Sequence, residues 1–148
     1  MEQLILTSVT QADINCFDGT EYENLTLERK KELISNSITG VCDGKFFKFY
    51  LLKDKDKTVG VFNFYEQSKS VISICPNVKE EYRKNGYATK GLILAHAVAK
   101  EKGYSVALQT IREENLASIG LHQKLGFELV KKCKTQNGNP VRIYLKLL

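Results

Sequence analysis

The stretch from Val78 to Lys102 constrains this chain more than any other. A β-branched apolar run (Val71, Ile72, Ile74, Val78) leads into a basic loop, Arg83-Lys84-Asn85-Gly86-Tyr87-Ala88. An apolar run of helical character, Gly91 to Ala99, follows it. A strand that turns tightly into a helix leaves the first helical N–H groups without partners, and the helix dipole adds positive potential at the same point. The loop is therefore predicted to hold an anion. Gly86 lacks a Cβ and admits a ligand to the main chain, and Ala88 is the next smallest residue. Arg83 and Lys84 add full charges suited to a pyrophosphate. Many α/β loops share this outline and bind nothing, so the segment alone does not decide the matter.

The rest of the composition sets bounds. A length of 148 residues predicts one domain, 1–148, and 43% hydrophobic residues suffice for a core. Net charge is +5, with bases interspersed among acids (Lys79-Glu80-Glu81, Arg112-Glu113-Glu114). That pattern argues for solubility and a local anion site and against a nucleic-acid surface; Lys131-Lys132-Cys133-Lys134 reads as a solvated strand end. Cys16, Cys42, Cys75 and Cys133 are far apart, and with two histidines they suggest no metal site. Met1-Glu2-Gln3-Leu4 lacks the features of a signal peptide, and no apolar run approaches the roughly 20 residues of a membrane span. Reduced cysteines, a cytoplasmic location and no membrane partner are the expectation; a homodimer is left open.

Taken in order, Gln3 to Val9 reads as a strand, Thr10 as the cap of a first helix and Thr26 as the cap of a second that runs to Ser37. Phe46 to Leu52, a strand marked by Val59, Val61, Phe62 and Phe64, and Ser70 to Val78 read as an antiparallel meander. Pro76 cannot donate to a ladder, which predicts a bulge or a lapse in pairing just before the glycine loop. After a helix over Tyr87 to Lys102, Tyr104 to Ile111 completes a βαβ unit with parallel strands. Asn115 caps a short helix, Leu116 to Leu125, and two strands joined around Asn137-Gly138 end the chain. Asn115, Ser118 and His122 share one helical face, while Ile119, Leu121 and Leu125 point elsewhere and can pack inward. Such a stripe is either a binding face or merely the solvated side.

Together these segments resemble the GNAT superfamily of N-acetyltransferases. Arg83-x-x-Gly86-x-Ala88 is similar to that family's pyrophosphate loop, and Asn115-x-x-Ser118-x-x-Leu121-His122-x-x-Leu125-Gly126-Phe127 to its downstream helix and strand start. Val78 and Tyr82 stand where the family has a strand-end valine and a loop aromatic. The resemblance implies a mixed, mostly antiparallel central sheet with a splayed strand pair and flanking helices. It implies acetyl-CoA as co-substrate, with the pyrophosphate on the amides of Arg83, Lys84, Asn85, Gly86, Tyr87 and Ala88 and with Thr89 close by. It also implies pantetheine along Pro76, Asn77 and Val78, with Val78 N–H nearest the pantetheine or thioester carbonyl, and Asn115, Ser118 and His122 across the groove.

The implied reaction is direct attack of a primary amine on the thioester, the amine belonging to a small molecule, an amino acid or a protein N-terminus. His122 stands where many relatives carry a tyrosine acid, so it is a candidate catalytic residue, for proton transfer, hydrogen bonding or packing alike. No general base stands out. Glu66 is read as solvated, Cys75 as a buried strand residue and His96 as structural. Glu21, Tyr22, Glu23 and Tyr144 are acceptor-side candidates by location only. Two other functions fit the same residues: a non-catalytic acyl-CoA-binding sensor or partner module, and an acyltransferase acting on aminoacyl-tRNA or a ribosomal protein.

Overall fold

The structure, a computed structural model, describes residues 3–148; Met1 and Glu2, read above for a leader, lie outside them. Strand β1 is Leu4–Ser8. The first helical segment is a 3-10 helix, Gln11–Phe17, rather than an α-helix, held at its start by Asp13, whose carboxylate accepts from Thr10 N–H at 2.8 Å. Helix α1, Leu27–Thr39, is capped by Thr26, whose hydroxyl accepts from Arg29 N–H. A short strand β2, Val41–Cys42, absent from the sequence reading, turns through Asp43 and Gly44 into β3, Lys45–Asp54. Strands β4, Lys57–Ser68, and β5, Val71–Val78, complete the predicted meander. Then come α2, Tyr87–Glu101; β6, Val106–Arg112; α3, Leu116–Lys124; β7, Glu128–Lys134; and β8, Pro140–Leu147.

The strands form one sheet ordered β1-β3-β4-β5-β6-β8-β7, with β2 beside β3. Every pairing among the described residues is antiparallel except β5–β6. The mixed, mostly antiparallel sheet is thus as anticipated. Alternation along the strands feeds two cores on opposite faces. On one, Leu52, Phe62, Phe64, Ile72 and Ile74 pack against Leu92, Ala95 and Ala99 of α2. On the other, Phe47, Phe49, Leu51 and Val61 meet Phe17, Leu33 and Ile34. A third, smaller cluster joins Ala107, Ile111 and Tyr144 to Ile119 and Phe127. No helix among the described residues is long and apolar enough to cross a membrane.

The parallel pair decides where a ligand fits. β5 and β6 pair only at Val71–Val106 and Ile72–Ala107, after which the strands separate. Pro76 does not bulge the β4 side, where it stays in register with Phe62. The lapse lies on the β6 side instead and begins at Ser73, three residues before Pro76. Pro76 sits without cost because its missing N–H faces an edge that has no partner.

Candidate functional site

Beyond β5 a 3-10 turn, Glu80–Tyr82, delivers the chain to the basic loop. Lys84 (φ 65°) and Gly86 (φ 80°) both occupy the left-handed region, where glycine alone is unstrained. Gly86 is the N-cap of α2 and offers no side chain to the first turn. The first helical bond runs from Lys90 N–H to Gly86 O, so the N–H groups of Lys84, Asn85, Gly86, Tyr87, Ala88 and Thr89 have no partner among the described residues. Asn85 braces the loop by donating from Nδ2 to Tyr82 O and Arg83 O, each at 3.1 Å. The Tyr87 hydroxyl donates to Asp54 Oδ2 at 2.6 Å and ties the helix start to β3. One turn on, Gly91 lets α2 settle on the sheet: a Cβ there would lie 2.4 Å from Phe62 Cζ. Arg83 and Lys84 form no ion pair among the described residues.

This helix start opens onto a cavity of about 680 Å³ that runs down the gap between β5 and β6. A second, of about 320 Å³, adjoins it over the loop and shares Val78, Arg83, Ala88, Ala117, Ser118 and Leu121 with it. Strand parity sets which backbone faces the gap. Lys79 N–H donates to Val59 O of β4, so Val78, one residue earlier, turns its N–H and C=O toward β6. Arg83 Nε donates to that Val78 O at 3.1 Å, which lays the guanidinium along the groove. The groove therefore joins a mouth lined by unpartnered amides to a strand edge unpaired among the described residues.

Across the gap, α3 does not present the predicted stripe. Asn115 and Ser118 line the cavity, but Asn115 Oδ1 caps its own helix, accepting from Ser118 N–H at 3.1 Å. His122 turns away. It is 1% exposed and lines neither cavity; Nδ1 lies 2.8 Å from Ser118 O, and the ring packs edge-on against Phe127. The sequence placed it on the groove because three residues sharing a face do not reveal which edge of that face the sheet covers. Leu121 packs against the α2 core as expected and also lines the groove with Ala117. Burial holds the His122 pKa below its ordinary value, so the ring is neutral at neutral pH. Of the roles left open for His122, this position is that of packing, against Ser118 and Phe127. His96 is buried as expected and packs on the same Phe127.

The far end of the cavity holds residues to which the sequence reading gives another role or none. Cys75 is not buried away but lines the gap, where Gln109 Nε2 approaches Sγ at 3.7 Å and the Tyr65 hydroxyl at 4.0 Å. Burial pushes the Cys75 thiol up, so it is not the activated thiolate that acyl-cysteine chemistry needs. Gln109 carried a legible signal: it is polar on a strand face whose neighbours Ala107 and Ile111 are buried. Thr110, Ile111 and Arg112 also line the cavity and carried none. Asn77 does more than offer backbone, for its Oδ1 accepts from Glu21 N–H at 3.3 Å and pins the loop before α1. Glu21 is the one carboxylate among the described lining residues. The other acceptor-side candidates are used elsewhere: Glu23 accepts from Gly19 N–H, Tyr22 packs on Phe17 and Phe49, and Tyr144 is fully buried. Glu66 accepts from the Tyr104 hydroxyl at 2.6 Å and lines neither cavity.

Comparison with known proteins agrees with this geometry. A family model described as acetyltransferase (GNAT) family matches residues 13–127. No curated protein matches the chain. Among solved structures, a ribosomal L7/L12 α-N-protein acetyltransferase, RimL, in complex with coenzyme A superposes with a TM-score of 0.82 at 16% identity, over 98% of this chain and 94% of that one. A GNAT acetyltransferase from Elizabethkingia anophelis with acetyl-CoA bound gives 0.73 at 18% identity, over all of both chains. A ribosomal-protein-alanine N-acetyltransferase from Brucella melitensis gives 0.77 at 21% identity, over 97% and 99%. With an uncapped helix over a parted strand pair, and with more than half its length matched by the family model, the chain belongs to the acetyltransferase (GNAT) family.

Proposed function

We propose that the groove between β5, β6, α2 and α3 holds acetyl-CoA and that the chain transfers the acetyl group to a primary amine entering on the Glu21 side. The six unpartnered amides from Lys84 to Thr89 carry this reading. They fit the diphosphate in number and direction, and Arg83 and Lys84 supply charge. The pantetheine arm has the unpaired edge of Pro76 to Val78 to follow. Val78 N–H is the donor aimed at the gap, suited to a carbonyl of that arm.

An alkylamine is mostly protonated at neutral pH and attacks only after losing a proton. Glu21, the carboxylate at the cavity, attracts the ammonium form and accepts that proton directly or through water. The nitrogen then bonds to the acetyl carbon, the carbon–sulfur bond breaks to expel coenzyme A as its thiolate, and the thiolate takes up the proton that the newly bonded nitrogen loses, directly or through water. Among similar structures, RimL is described as an α-N-protein acetyltransferase and a Vibrio cholerae chimera as a spermidine N-acetyltransferase. Both descriptions name amine acceptors, and a cytoplasmic setting with reduced thiols suits the same chemistry. The test is thiol release from acetyl-CoA across an amine panel of polyamines, amino acids and N-terminal peptides. Turnover with at least one acceptor is expected, and Glu21→Gln should lower kcat/KM by about a hundredfold. Binding without turnover on any acceptor would favour the sensor module.

A further inference from the structure

Resting on that reading of the groove, we propose that Cys75 and Gln109 set the size of the acyl group, admitting acetyl and excluding butyryl. The gap between β5 and β6 has one closed end, and its closure is built from side chains. Backbone pairing stops at Ile72–Ala107. On the next rung Ser73, 1% exposed, donates from Oγ to Leu108 O at 2.6 Å and accepts from Gln67 Nε2 at 3.0 Å. Above it stand Cys75 and Gln109, with Sγ and Nε2 3.7 Å apart across the gap. They are the first residues of β5 and of β6 to line the cavity, so the space ends against them.

An arm anchored at the α2 amides and laid down this gap brings its acyl end to that pair. Neither side chain yields readily. Gln109 is 7% exposed, and Cys75 is backed by Tyr65 and flanked by the Ser73 bond. A buried amide whose only side-chain partner among the described residues is a thiol contributes little to folding, so its place in an apolar row has no structural explanation apart from filling this end. Two added methylenes must displace one of these groups or twist the thioester out of line.

Calorimetry reads the effect without any acceptor. We expect wild type to bind butyryl-CoA at least about tenfold more weakly than acetyl-CoA, in line with what one or two methylenes cost in a packed site. In Gln109→Ala, and separately in Cys75→Ala, that ratio should fall to about threefold or less, the space vacated being of methylene size. Equal binding of both thioesters by wild type overturns the proposal, whatever the variants do. An unchanged ratio in two folded variants also overturns it. Failure of every coenzyme A species to bind removes the acetyl-CoA reading itself, and this inference with it.

Discussion

The two helices that border the groove begin in opposite ways. α3 satisfies its own first turn, because Asn115 accepts from Ser118 N–H at 3.1 Å. α2 begins at a glycine with no side-chain cap, and six successive amides from Lys84 to Thr89 have no partner among the described residues. A glycine start without a side-chain cap costs a helix a few tenths of a kcal/mol relative to a polar cap. Ordinary stability favours the α3 arrangement, so the α2 arrangement marks the ligand site. A capped helix cannot also hold a diphosphate on the same donors, and α3 therefore contributes wall rather than grip. Its Ala117, Ser118 and Leu121 shape the groove that α2 anchors.

The strongest attempt to break this contrast is Gly86→Val. A β-branched residue cannot hold φ 80° without strain, and relaxing it swings the loop amides away. Loss of two bonds to a charged group, about 1.5 kcal/mol each, predicts a hundredfold weaker Kd for coenzyme A by calorimetry. A Kd within threefold of wild type would show that the amides are not the anchor.

The second test concerns where the two helices meet, over Phe127, between His96 and His122. Burial, then Lys146 and His122, push His96 down to about 4. Its folded pKa lies below the unfolded value near 6.5, so the unfolded chain binds more protons between those values. Stability from this group is present above about pH 6.5 and falls as pH drops toward 4. Denaturant unfolding at pH 5 should show about 2 kcal/mol less stability than at pH 7 from this residue, and His96→Leu should flatten that slope. A stability that rises on acidification would contradict the buried neutral pair.

Arg83→Ala should weaken coenzyme A binding by about tenfold at low ionic strength and by less in 0.5 M salt, because the charge is exposed and screened. An effect insensitive to salt would mean that Arg83 acts by bracing Val78 O rather than by charge. The smallest effect expected is that of Asn115→Ala. It removes about 1 kcal/mol of stability in thermal unfolding and shifts coenzyme A affinity far less than Gly86→Val does. A larger loss of affinity than of stability would return Asn115 to the cofactor-contact role first read from the sequence.

Local patterns were the readable part. Thr26 and Asn115 as caps, the Asn137-Gly138 turn, the meander and the βαβ unit depend on neighbours within a few residues, and all are found. The bare helix start was readable for the same reason, since Gly86 offers no cap whatever lies elsewhere. His122, Cys75 and Glu66 were misread, each because its role depends on residues distant in sequence. His122 is turned by Phe127 and the third core, Cys75 is exposed by the parting of β6, and Glu66 is occupied by Tyr104.

By itself the sequence determined the order of elements apart from β2, and the uncapped start of α2, because caps, turns and unpaired amides are settled by short-range sterics and hydrogen bonding. Only the tertiary structure decided how deep the groove runs, what closes it and which side of α3 faces it. Those depend on where β5 and β6 cease to pair and on which side chains, 34 or 35 residues apart, meet across the gap. Long-range packing leaves no periodic trace in the chain, so the mouth could be read and the floor had to be seen.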